Sequence, residues 1–100
     1  MRKITWDAEA GCELKCSALF YSRRGGSELG RRFLNTVDQL IERIQEAPDS
    51  FYPVFDEVRK ARLPRFPYHL IYWFDTDSDS VHILALAHTS RKPGYWKDRL

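Results

Sequence analysis

The chain predicts an α+β fold of order β-α-α-β-β-β, with a helical hairpin packed on one face of a small, mainly antiparallel sheet. Three observations carry this. The run Arg65-Phe66-Pro67-Tyr68-His69-Leu70-Ile71-Tyr72-Trp73-Phe74 is the most aromatic stretch of the sequence and alternates large side chains on two faces. Such a run suits a central strand covered at least partly on both sides. Residues 7–46 instead repeat their apolar side chains at helical spacing, broken at Gly25-Gly26. After Pro53, three strand-like runs follow one another with only short polar breaks, the pattern of an antiparallel meander.

Taken in order, Lys3–Trp6 is a short first strand. Asp7 is placed to cap a helix that has Glu9 in its first turn and runs to about Arg23. Ala10, Leu14, Ala18 and Tyr21 form its inward stripe. Ser27 is the expected cap of a second helix reaching Glu46, with Leu29, Phe33, Val37, Leu40, Ile41 and Ile44 facing inward and Pro48 beyond its end. Residues 48–53 connect to a second strand, Val54 to Leu63, which Pro64 stops. In the central strand Phe66, Tyr68, Leu70, Tyr72 and Phe74 share one face, and His69, Ile71 and Trp73 the other. The polar turn 75–80 leads to a last strand from Val81 to His88. Regular alternation there puts Val81, Ile83, Ala85 and Ala87 on one face, and His82, Leu84, Leu86 and His88 on the other. The sheet face away from the helices is expected to stay partly open, with arginines near its rim.

At 100 residues this reads as one domain, residues 1–100. Hydrophobic residues make up 43% and charged residues 30%, which excludes a disordered chain. No run approaches the ~20 apolar residues that span a bilayer, and the N-terminus lacks the apolar stretch of a signal peptide. A cytoplasmic protein without membrane contact is expected. Cys12 and Cys16 are too few for a disulfide scaffold or a tetrahedral zinc site, and read as small buried or half-buried side chains in a reducing compartment. The net charge of +2 is unevenly spread. Residues 1–58 carry eight basic and ten acidic side chains, residues 59–100 eight and four, so the second half is the one suited to a polyanion.

Several patterns carry no chemistry. Asp75, Asp77 and Asp79 open like a calcium loop, but Ser80 stands at the glycine position and Leu86 at the final glutamate. His82 and His88 are six residues apart, ~20 Å along a strand, too far for one ion. Gly25–Gly30 joins two helices and lacks the lysine of a phosphate loop. No metal and no cofactor is therefore expected. What remains is a basic and aromatic group: Arg59, Lys60, Arg62 and Arg65 before the central strand, and His88, Arg91, Lys92, Tyr95 and Trp96 after the last. Guanidinium groups grip phosphate, aromatic rings stack on bases, and a histidine moves protons near neutral pH. Two readings stand for Tyr95 and Trp96, target contact or a plug folding the tail onto the sheet. Two also stand for His88, proton transfer or a satisfied strand end, and Arg91 is either a phosphate contact or a solvated charge.

These residues also carry a resemblance. Glu13-Leu14 with Tyr21, Leu29-Gly30 with Arg32-Phe33-Leu34, Ile44 with Pro48, Val58-Arg59, the run Arg65 to Tyr72, Ile83 to His88, Arg91, Pro93-Gly94-Tyr95-Trp96 and Arg99 together resemble the RelE/ParE superfamily of bacterial type II toxin–antitoxin toxins. The chain is most similar to the ParE-like, plasmid-stabilisation branch, over about residues 3–99. The resemblance implies the same β-α-α-β-β-β order, and a growth-arresting toxin neutralised by a cognate antitoxin whose C-terminal segment folds onto it. The ParE-like branch implies inhibition of DNA gyrase by binding, without catalytic residues; Arg59, Arg62, Arg65, Arg91, Tyr95 and Trp96 are then the target-contact candidates. The RelE-like alternative implies cleavage of mRNA on the ribosome. Arg65, His88, Arg91 and Tyr95 would then form the catalytic set, although Thr89 stands where that branch has a basic residue. Self-association of the free toxin through its apolar surface is a further expectation.

Overall fold

The computed structural model describes residues 2–100. Strand β1 (Lys3–Trp6) leads into helix α1 (Ala8–Gly25), helix α2 (Ser27–Glu46) and a short 3-10 turn (Pro48–Ser50). Strands β2 (Tyr52–Phe55), β3 (Val58–Arg62), β4 (Tyr68–Asp75) and β5 (Ser80–His88) follow, and a second 3-10 turn covers Lys97–Arg99. The sheet order is β1-β5-β4-β3-β2, with β1 parallel to β5 and the other pairs antiparallel. The helices lie on one face of this sheet. No helix among the described residues is long and apolar enough to cross a membrane.

Asp7 caps α1 as expected, its carboxylate accepting from the backbone N–H of Glu9 and Ala10 at 3.0 and 3.3 Å. The hairpin is tighter than the sequence suggested. Helix α1 continues to Gly25, and Gly26 alone, at φ +86°, reverses the chain. Ser27 is therefore the first residue of α2 and not its cap; Gly26 takes that position without a side-chain bond. Phe33, Val37, Leu40 and Ile44 of α2 are buried against Leu70, Tyr72, Val81 and Ile83 of the sheet. Tyr21, Phe33, Phe66 and Tyr68 meet ring to ring, with centroids 4.9–6.3 Å apart.

Three further expectations need correction. Cys12 and Cys16 are exposed, not buried. A single helical layer covers the sheet, and Ala10, Leu14, Ala18 and Tyr21 already fill its inward stripe. Two residues on from an inward position a helical side chain points well off that stripe, toward water. Second, the expected strand Val54–Leu63 is a hairpin. Asp56, at φ +45°, turns the chain between Phe55 and Val58, which face each other as partners. Aspartate tolerates the left-handed region better than most residues. Third, β5 does not alternate regularly. Ile71 pairs with Ala85 and Tyr72 with Ile83, so Leu84 is an extra residue with no partner across from it. This bulge resets the faces. Val81, Ile83 and Leu86 lie on the helix side, while Leu84, Ala85 and Ala87 lie on the other.

That second face is partly roofed. Trp96, only 4% exposed, packs with Val58, Ile71, Leu84, Ala85 and Ala87, and Tyr95 packs beside it.

Candidate functional site: a basic cleft beside the roof

The segment after β5 crosses the open face and leaves a cleft of about 310 Å³ between itself and β2–β4. Ile71 and Ala87 are at its base; Tyr52 and Lys60 line it from β2 and β3, His69 from β4 and His88 from the end of β5. Arg91, Lys92, Tyr95 and Trp96 form the opposite wall. Every charged side chain in this lining is basic, and none is acidic. The cleft is therefore an anion-attracting concavity with aromatic walls.

The cations sit on rings. Arg91 stacks over Tyr95 with its guanidinium carbon 3.8 Å from the ring centroid, and the Lys60 ammonium lies 5.2 Å from that of Tyr52. Such contacts hold the charge in place without neutralising it. His69 sits between Lys60 and Arg62. Burial, then the charges of these two neighbours, push its pKa below the usual histidine value, so it is neutral at pH 7. His88 packs edge-on against Tyr68, and its Nδ1 accepts the Ser90 backbone N–H at 3.0 Å. In its neutral form its proton must then be on Nε2.

Tyr95 is differently employed. Its hydroxyl donates to Glu13 at 2.6 Å. Burial and that acceptor push its pKa well above the ordinary tyrosine value, so it holds its proton through the neutral range. Trp96 is buried and stacks on Phe55, with centroids 6.1 Å apart and planes within 5°.

The sequence-derived candidates thus separate. His88, Arg91, Tyr95 and Trp96 come together around the cleft. Arg59 lies on the helix side, opposite Tyr72 in register, and donates to the carbonyl of Phe51 at 2.9 Å. Arg62 turns its guanidinium onto the carbonyls of Leu63, Phe66 and Tyr68, stapling the β3–β4 connection. Arg65 is exposed in that connection at φ +69°, outside the cleft lining. The sequence analysis places His69 on a face of the central strand but not among the site candidates, and it does not single out Glu13 as a site residue. The alternation of β4 does put His69 on the open face. Nothing in the sequence links Glu13 to a tyrosine 82 positions away.

A helical hairpin on one face of a mixed sheet, with a basic cleft on the other, defines a RelE/ParE-type toxin fold. The chain belongs to the family described as the ParE toxin of the type II toxin–antitoxin system parDE, whose model matches residues 4–93. It is 30% identical over 74 residues to the toxin ParE2 of Mycobacterium tuberculosis, covering 74% of this chain and 69% of that protein. Among solved structures it resembles the chromosomal ParDE toxin–antitoxin system of P. aeruginosa, with a TM-score of 0.77 at 17% identity, covering 90% of this chain and 98% of that one. The isolated E. coli RelE toxin superposes with a TM-score of 0.63 at 16% identity, over 99% and 96% of the two chains. RelE in complex with a peptide of its antitoxin RelB superposes at 0.60 and 14% identity, over 99% and 94%. At these identities the structural likenesses establish the fold.

Proposed function

We propose that this toxin arrests growth by binding DNA gyrase and holding its cleaved DNA complex, and that a cognate antitoxin neutralises it. Membership of the ParE family carries this reading. The state of Tyr95 supports binding over cleavage. Its hydroxyl is committed to Glu13 and its proton is tightly held, so it has none to trade near neutral pH. The proposed contact surface is the cleft wall, with Arg91 and Lys92 toward nucleic-acid phosphate and Tyr95 and Trp96 as its rigid support. Arg59, Arg62 and Arg65 lie outside this lining.

The antitoxin is expected on the helical hairpin. Leu19 and Phe20 of α1 and Leu34 of α2 are exposed by 49%, 47% and 38%, an apolar outer surface suited to a segment that folds as it binds. Free toxin would self-associate through the same surface.

Gyrase, supercoiled plasmid and ATP with purified toxin test the reading. Linear DNA trapped by detergent and protease, lost when antitoxin is added and reduced by Arg91→Ala with Lys92→Ala, is the expected result. Untouched plasmid with active gyrase overturns it. A second reading, ribosome-dependent mRNA cleavage, draws on the His69 imidazole in the cleft. Neutral His69 offers a proton acceptor beside Lys60 and Arg91, while His88, opposite Tyr68 in register, turns its ring to that helix-side tyrosine and borders the cleft at the end of β5. Cut message ends in a translating extract, abolished by His69→Ala, would establish it in place of the first.

A further inference from the structure

The outer face of α1 carries two thiols that neither reading uses. Cys12 and Cys16 are both exposed and stand one helical turn apart. Side chains at that spacing have Cβ atoms about 5–6 Å apart. A disulfide needs about 3.5–4.5 Å, so an intact helix keeps the pair reduced and side by side. Two metal–thiolate bonds of about 2.3 Å each, laid end to end, bridge that gap with only small rotations about the Cα–Cβ bonds. Among the described residues no group of three or more His, Cys, Asp or Glu side chains is placed to hold an ion. Glu9, a turn before Cys12, is paired with Arg99 at 2.9 Å. The donor set therefore ends at two sulfurs, which leaves zinc short of the four ligands it takes in structural sites.

We propose that Cys12 and Cys16 form a two-thiolate site for a soft monovalent cation, with Cu(I) as the biological example. Soft thiolate ligands select Cu(I), and an ion of that charge is satisfied by two collinear sulfurs. The surroundings fit the product. A bis-thiolate Cu(I) unit carries one negative charge, and Cys16 opens onto a shallow hollow of about 410 Å³ that it shares with Leu19, Phe20, Arg23 and Arg24. The two guanidinium groups offset that charge, and Leu19 and Phe20 flank the Cys16 side of the site. Loading releases the thiol protons, so affinity rises with pH. The site also lies on the face assigned above to the antitoxin, and its existence is independent of that assignment.

The test uses the reduced, full-length toxin alone, without antitoxin or gyrase, titrated anaerobically with Cu(I) against a chromophoric Cu(I) chelator. One tightly held equivalent is expected. Cys12→Ser and Cys16→Ser, both at exposed positions, should each weaken it by roughly tenfold or more, as loss of a chelate partner does. A third variant, Cys16→Ser combined with Ser17→Cys, keeps two thiols but spaces them five apart and should behave like the single-thiol proteins. Circular dichroism checks that each variant stays folded. A weaker drop in either single variant, or wild-type affinity at five-residue spacing, overturns the site.

Discussion

The carboxylate of Glu13 and the guanidinium of Arg99 meet in a two-pronged pair, Nη1 to Oε1 at 2.9 Å and Nη2 to Oε2 at 3.1 Å, across 86 positions of sequence. The same carboxylate accepts the Tyr95 hydroxyl and the backbone N–H of Leu86. The reason lies in the sheet. Strand β1 ends at Trp6 opposite Ile83, leaving the rest of β5 without a neighbour along that edge. Asp7 N–H closes onto the Ile83 carbonyl at 2.9 Å. Beyond it side chains stand in for the missing strand: Arg99 donates to the Leu84 carbonyl at 3.0 Å, and Glu13 receives Leu86 N–H at 3.1 Å. Arg99 also faces Glu9 at 2.9 Å, aligned as an ion pair and not as a hydrogen bond. One acid thus fastens α1, β5 and the roof over the open face.

Removing one side of this pair should be expensive, because the other stays partly buried. The Arg99 and Glu13 side chains are only 9% and 15% exposed. Glu13→Gln should lower stability by about 2–4 kcal/mol, measured by urea unfolding. Glu13→Ala with Arg99→Met should lose clearly less than the two single changes added together. Strict additivity would show that the contact contributes little.

Stability should fall on both sides of neutrality. Burial first of all raises the pKa of Tyr21 to about 12, and drives those of Tyr72 and Tyr95 higher still. Unfolded tyrosines ionise near 10. Above that pH the unfolded chain has released protons that the fold retains, so stability is level below ~10 and drops as pH rises past it. His69 runs the other way. Its folded pKa is depressed, so below the ordinary ~6.5 the unfolded chain takes up a proton that the fold resists, and stability drops with acid. Denaturation midpoints across pH 5 to 11.5 should show both arms. Tyr95→Phe should shallow the alkaline arm and His69→Gln the acid arm; an unchanged slope in either variant removes that residue from the account.

Two glycines of the hairpin should respond oppositely to alanine. A Cβ on Gly30 would stand 1.9 Å from Ser22 Oγ and 3.0 Å from the Ala18 carbonyl, where α1 and α2 touch. The carbonyl cannot rotate away, so Gly30→Ala should lose about 1–3 kcal/mol despite alanine's better helix propensity. Gly11 has nothing within 4 Å of the same position, so Gly11→Ala should gain about 0.5–1 kcal/mol. Thermal midpoints moving in the same direction for both would contradict the close approach at Gly30.

What the sequence made legible follows from how local each feature is. The helix stripes, the Asp7 cap and the faces of β4 depend on neighbours within a few residues, and they stand as read. The β2–β3 turn hangs on one aspartate entering the left-handed region between strand-like flanks, which nothing nearby forces. The bulge at Leu84 is invisible because each of Val81 to Ala87 is acceptable on either buried face, or nearly so. Only pairing with β4 shows which residue is extra. At the cleft, the aromatic and basic character of the segment after β5 was legible, and its wall was found. That Arg59 and Arg62 are spent on carbonyls, and Tyr95 on Glu13, depends on contacts 4 to 82 positions away.

Trp96 offers the sharpest separation of support from target contact. Its ring fills the open-face core and lies flat against Phe55, which Lys97 covers from 5.6 Å. Trp96→Ala should cost about 3–5 kcal/mol, as truncation of buried aromatics does. Phe55→Ala, at a position 37% exposed, should cost less. The double variant should fall short of their sum by about 0.5–1.5 kcal/mol, the value of the stacked pair itself. Trp96→Phe keeps an aromatic plug and should recover most of the stability. If Trp96 only holds the roof in place, Trp96→Phe keeps full toxicity as well. If toxicity is lost while the fold and the Cu(I) titration are unchanged, the indole edge touches the target directly, and the contact surface extends from Arg91 across the roof.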